Sequence, residues 1–282
     1  MPDFPKLPII TPPSKSFPEL PIITPDPPRL TMAEKYGGLY YLGIAGLIFS
    51  LILVGNFAYG LWASRDLWYS IVVLNNDGRS ETDRIKAAWT IARHPWANDR
   101  QRSDLAFRKT LPPLARYLIA EGLTSDAIRT DPKGYAVMVA RSEGWPDWLR
   151  LQMIRPMAYG VGEGYRIAFE PLDTLRTHAD PAISLWATYT RAVNPPGDRP
   201  AGEALAQAAA DSGPFQPLAV LLDTAARSSG DQRKARLDEA TAWVRSHHPE
   251  SARLWSGWVE RDGQLQESPL SRSSAQGPLS AE

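Results

Sequence analysis

The sequence predicts an all-α protein: one transmembrane helix followed by a helical domain, with a disordered proline-rich tail in front. Three observations carry this. No charged residue occurs from Gly37 to Ala63. Beyond it, helix-start and helix-stop residues recur at short intervals, each bounding an apolar set at helical spacing. Alternating runs of β-branched residues, the mark of strands, extend over no more than a few positions.

Residues 1–35 come first and hold 10 of the 26 prolines within their first 30 positions. Proline removes a backbone donor and pushes its predecessor toward extended structure, so this tail is expected to be disordered with polyproline II character. It contains a duplication. Phe4-Pro5-Lys6-Leu7-Pro8-Ile9-Ile10-Thr11-Pro12 returns thirteen residues later from Phe17 to Pro25, with eight of nine positions identical. Two weak sites on one chain gain avidity through effective concentration, which makes Phe4 and Phe17 candidate docking residues. A duplicated spacer is the plainer reading of the same repeat.

Residues 36–63 follow as the span. A bilayer core needs about 20 apolar residues in a helix, and the uncharged run exceeds that. Tyr36, Tyr40 and Tyr41 at one end, with Tyr59 and Trp62 at the other, match the interfacial aromatic belt. Gly43, Gly46 and Ser50 form a small-residue face that would allow a homodimer, although a plain lipid-facing helix is the preferred reading of them. Arg29 and Lys35 flank one side closely, and Arg65 the other. The short-flank charge rule then places the tail in the cytoplasm of a single-pass protein, read here as lying in a bacterial cytoplasmic membrane. A wider window adds Arg79 and Arg84 and reverses the sign.

Residues 64–262 read as the helical domain, of roughly six paired helices. Ser80 with Asp83 forms an imperfect capping box ahead of Ile85, Ala88 and Trp89. Asp131-Pro132 opens a helix through Tyr135 and Val139, with Gly144 as its stop, and Pro146 opens another through Trp148 and Ile154. Asp180-Pro181 opens Ile183 to Val193, and Asp231 opens a stretch containing Leu237, Trp243 and Val244. Residues 263–282, rich in Ser, Gln, Gly and Pro, are expected to be disordered.

Two segments of this domain align without a gap. Arg176-Thr177-His178 leads to Leu185-Trp186, and Arg245-Ser246-His247 leads at equal distance to Leu254-Trp255; a weaker copy runs from Arg79-Ser80 to Ala88-Trp89. The stretch from Glu170 through Leu172, Leu175, Asp180-Pro181 and Ile183 to Trp186-Ala187 resembles a HEAT repeat. Leu74 to Trp89 is similar but lacks the proline. The resemblance covers two units, and the glycines at 160, 162 and 164 depart from it, which keeps an irregular helical domain open. It implies an α-solenoid whose concave face binds a protein partner.

Chemistry is sparse. Zero formal net charge argues against a nucleic-acid binder, and the absence of cysteine excludes thiolate chemistry. The glycines at 160, 162 and 164 miss the phosphate-loop spacing, and no nucleophile elbow occurs. The four histidines have no metal-ligand spacing; His178 and His247 are expected to meet terminal carbonyls at helix ends. The arginines from Arg93 to Arg108 are expected on a solvated face. The tryptophans of the domain are expected in its core, save Trp255 and Trp258, which a terminal repeat could expose as an interaction groove. No cofactor and no catalytic residue is expected. The functional expectation is a non-catalytic, membrane-anchored scaffold or adaptor. The alternative is an accessory subunit or enzyme with its site in a helical cavity, and a pocket lined by several buried charged groups would favour it.

Overall fold

The computed structural model describes residues 31, 34–35, 37–160, 169–194 and 198–268. The candidate docking residues Phe4 and Phe17, the belt residue Tyr36 and the side chain of Tyr40 lie outside these.

Helix α1 (Gly38–Asn75) is longer than the expected span. From Leu39 through Leu61 nearly every large apolar side chain is exposed, and the stretch Tyr41–Asn75 is long and apolar enough to cross a membrane. Tyr41, Tyr59 and Trp62 are likewise exposed. From Ser64 onward the pattern changes. Ser64, Leu67, Ser70, Val73 and Leu74 are buried, at the three- and four-residue spacing of one helix face, and Leu67, Val73 and Leu74 join the domain core. A capped end fixes them: Arg84 donates to the Leu74 carbonyl, and Arg108 to Asn75 Oδ1.

The domain continues as α2 (Glu81–Arg93), α3 (Asp99–Ala106), α4 (Pro113–Glu121), α5 (Pro132–Ala140), α6 (Asp147–Tyr159), α7 (Pro181–Val193), α8 (Arg199–Ala210), α9 (Gln216–Arg227), α10 (Gly230–His247) and α11 (Pro249–Trp255). Short 3-10 turns at Ser125–Ile128 and Glu170–Leu175 interrupt the series. The caps read from the sequence form as expected. Ser80 accepts from the Asp83 amide, Asp131 from Gly134, and Asp180 from Ala182 and Ile183. Helix α10 begins at Gly230 with Ser229 as its cap residue, one position before the expected Asp231.

Helix α4 sits at the centre. Leu114, Ala115, Tyr117, Leu118, Ile119 and Ala120 are all buried, because α2, α3 and α6 pack around it. Its end runs so close to α2 that a side chain at Gly122 would collide with the Ala92 carbonyl. Along the second half, α6 to α10 each pack on the next helix in sequence. The two aligned segments have different surroundings. A 3-10 turn precedes Arg176, whereas the 18-residue α10 carries Arg245. Trp186 is fully buried inside α7, whereas Trp255 closes the short α11.

The chain after α11 is a correction to the expected boundary at residue 262. Strands β1 (Trp258–Arg261) and β2 (Gln264–Glu267) form an antiparallel hairpin in which Arg261 faces Gln264. Asp262 and Gly263 have φ of 51° and 71°, the two left-handed positions of the tight turn that suits twisted strands. Leu265 enters the core, Trp89 Nε1 donates to the Gly263 carbonyl, and Thr82 donates to Glu267. The hairpin is thereby part of the folded domain.

Candidate functional site

Trp255 and Trp258 do not form an open aromatic groove. Both are half-buried and packed on the core. Trp255 meets Trp89 edge-on at 6.3 Å and Tyr117 at 6.4 Å, and the Arg245 guanidinium lies 4.4 Å from its ring centre. The hairpin, whose register sequence periodicity did not reveal, bonds to α2 through Trp89 and Thr82 and pairs Glu260 with Arg93 and Arg245. The signal that could have found it is the Asp262-Gly263 pair between Trp258-Val259 and Leu265.

The histidines divide by position. His247 Nδ1 lies 3.1 Å from the Trp243 carbonyl near the end of α10, as expected, and its ring stacks on Trp243. His178 is different: its Nδ1 accepts from the Asp180 amide at 3.0 Å, because it sits before a helix start, where donors rather than carbonyls are unpaired. His248, for which sequence reading found no role, is held at both ring nitrogens. It is buried, caps α11 by accepting from the Ser251 amide, and lies with Nε2 2.7 Å from Asp180 Oδ2.

Asp180, His248 and Ser251 therefore stand in the order of a hydrolase triad, with Ser251 Oγ 3.4 Å from His248 Nδ1. Ser251 is wholly buried, so no substrate carbonyl can reach its hydroxyl. The trio works as a clamp. Asp180 caps α7, His248 caps α11, and their mutual bond joins the two helix starts. Burial pushes the Asp180 carboxyl up, but the His248 bond and charge with two backbone donors outweigh it and hold it below the ordinary carboxylate value. Glu250 adds a third helix start by accepting from the Trp148 amide.

The arginine-rich stretch is not a uniform solvated face. Arg102 is buried and paired with Asp99, which also accepts from Thr124, while Arg93 stacks 3.0 Å from the Trp89 ring centre. Burial is the reason for the partners of Arg102, since a guanidinium out of water needs a carboxylate or a carbonyl, whereas Arg93, Arg100, Arg108 and Lys109 are exposed as expected.

Arg93 also borders a densely charged cleft. The ends of α2 and α4 meet α6 and α10 around a volume of about 370 Å³, lined by Arg93, Glu121, Arg155, Tyr159, Asp238 and Arg245 with small neighbours. Arg245 pairs with Glu121 and, at 3.4 Å, with Glu260 of β1. Its burial would favour the neutral form, but Glu121 more than compensates and raises it. Arg93, in contrast, is lowered by burial, and Glu260 is 3.7 Å away. Tyr159 donates to Asp238 at 2.7 Å, and burial with that bond raises its hydroxyl well above the ordinary value. Arg155 donates through Nη2 to the carbonyls of Glu121 and Leu123 at the end of α4. Sequence reading missed the cleft because its charges come from positions 93 to 245 and share no motif.

Among the described residues, no group of three or more His, Asp or Glu converges as a metal site would require. No protein-family model, curated protein or solved structure matches the chain.

Proposed function

We propose that the chain is a single-pass, membrane-anchored, non-catalytic scaffold or adaptor whose helical domain holds a protein partner near the bilayer. The observation that carries this reading is α1. Its uncharged stretch exposes Leu47, Leu51, Val54 and Phe57, an arrangement that water penalises and lipid accepts. The same helix extends to Asn75, and its residues Leu67 and Leu74 belong to the domain core. The successive packing of α6 to α10 supports a short helical-repeat array akin to a HEAT solenoid. In this reading the proline-rich tail lies on the cytoplasmic side of a bacterial membrane, its doubled motif serving as a docking site or a spacer. The small-residue face of α1 permits self-association, and no nucleic acid is involved.

The test begins with alkaline carbonate extraction of membranes, in which the full chain should remain with the lipid. Crosslinking from the protease-accessible side should then capture one dominant protein, lost when residues 64–268 are removed. Release by carbonate would sink the anchor, and an unchanged crosslink after deletion would sink the adaptor role. The charged cleft favours a second reading, an accessory subunit or enzyme with a ligand site in a helical cavity.

A further inference from the structure

We propose that the cleft between α2, α4, α6 and α10 is a binding site for a small carboxylate, with Arg155 as its principal anion contact. The proposal starts from a census of charge. Three guanidiniums and two carboxylates line the cleft: Arg93, Arg155 and Arg245 against Glu121 and Asp238. Glu121 and Glu260 are committed to Arg245, and Glu260 also approaches Arg93. Asp238 sits at the exposed rim, bonded to the Tyr159 hydroxyl. Arg155 is left with no carboxylate partner among the described residues. Of its three nitrogens only Nη2 is bonded, and both of its partners are neutral carbonyls.

Such a cation is costly at a half-buried position, where carbonyl dipoles offset only part of the lost hydration. Unsatisfied atoms gather at the same place. Arg155 Nε and Arg245 Nε are buried donors without a hydrogen-bond partner among the described residues, and both belong to lining residues. Native structures rarely leave such groups, and they concentrate at sites of function. A planar carboxylate matches the guanidinium fork and would give Arg155 the ion pair it lacks among the described residues. Phosphate fits less well, because Glu121 and Asp238 would oppose a second charge. The volume lies in the range of small-molecule pockets.

The experiment uses the full chain in detergent or nanodiscs, and reads the thermal midpoint with acetate, L-lactate, benzoate or inorganic phosphate against chloride at equal ionic strength. A carboxylate at a hundredfold excess over its Kd should raise the midpoint by several degrees. Arg155→Gln should abolish the rise. Because that change also removes bonds to the end of α4, Asp238→Asn provides a second arm on the exposed rim. It removes one opposing charge and should tighten carboxylate binding severalfold in calorimetry. No rise with any carboxylate, an undiminished rise in Arg155→Gln, or weaker binding in Asp238→Asn overturns the proposal. A larger rise with phosphate than with any carboxylate overturns the assigned ligand class. None of these outcomes depends on whether a protein partner is found.

Discussion

Leu51, Ile52 and Phe57 in α1 are chemically equivalent to Leu118, Ile119 and Phe169 in the helical domain. The first three are more than half exposed, and the second three are completely buried. The difference lies in the neighbours. In α1 the apolar residues follow one another around the whole circumference, so no single core could cover them. In the domain they alternate with charged residues at helical spacing, and one face suffices. An apolar side chain therefore does not define its solvent. The pattern around it does, and here one chain carries both solutions.

Substitutions sharpen this contrast in order of expected effect. Trp186→Ala should cost about 3–5 kcal/mol in urea unfolding, because it empties a fully buried site beside Tyr189. Equal stability of the variant would mean that Trp186 is not a core anchor. Leu51→Arg should cost about 2.5–3.5 kcal/mol of membrane insertion and leave the unfolding of the domain unchanged. A drop in domain stability with intact insertion would reverse the roles assigned to the two regions.

His248→Ala should cost about 1–3 kcal/mol, since it leaves Asp180 short of a partner at a half-buried position. The same clamp sets a pH dependence. The folded Asp180 carboxyl lies below its unfolded value, so its contribution is complete above the ordinary carboxylate range and is lost as pH falls through the lowered folded value. Acid titration of unfolding should therefore show a smaller loss below about pH 4 in His248→Ala than in the parent. An identical acid limb in both would remove Asp180 from the account. Smallest of all, Glu203→Ala should change stability by less than about 0.5 kcal/mol, because its pair with Arg199 lies open to water.

The helix starts were legible because capping is local. Ser80, Asp131 and Asp180 announce their helices through side chains that reach only two or three residues. The hairpin is obscured by its brevity: four-residue strands offer two turns of alternation at most, and the Ser, Gln, Gly and Pro content from residue 263 onward points to disorder instead. The candidate cleft was illegible for a different reason. Arg155 and Arg245 are ninety residues apart, and neither is distinguishable in sequence from an exposed arginine.

By itself, then, the sequence determined the all-α class, the uninterrupted apolar helix and the caps that begin three of its helices. Each depends on composition or on residues within a few positions of one another. Tertiary structure alone decided that His248 rather than His247 joins two helix starts, that Trp255 packs on Trp89 and Tyr117, and that Arg155 has no carboxylate partner among the described residues. Those outcomes depend on which distant segments share a dry space, where an unpaired charge or donor has no water to turn to.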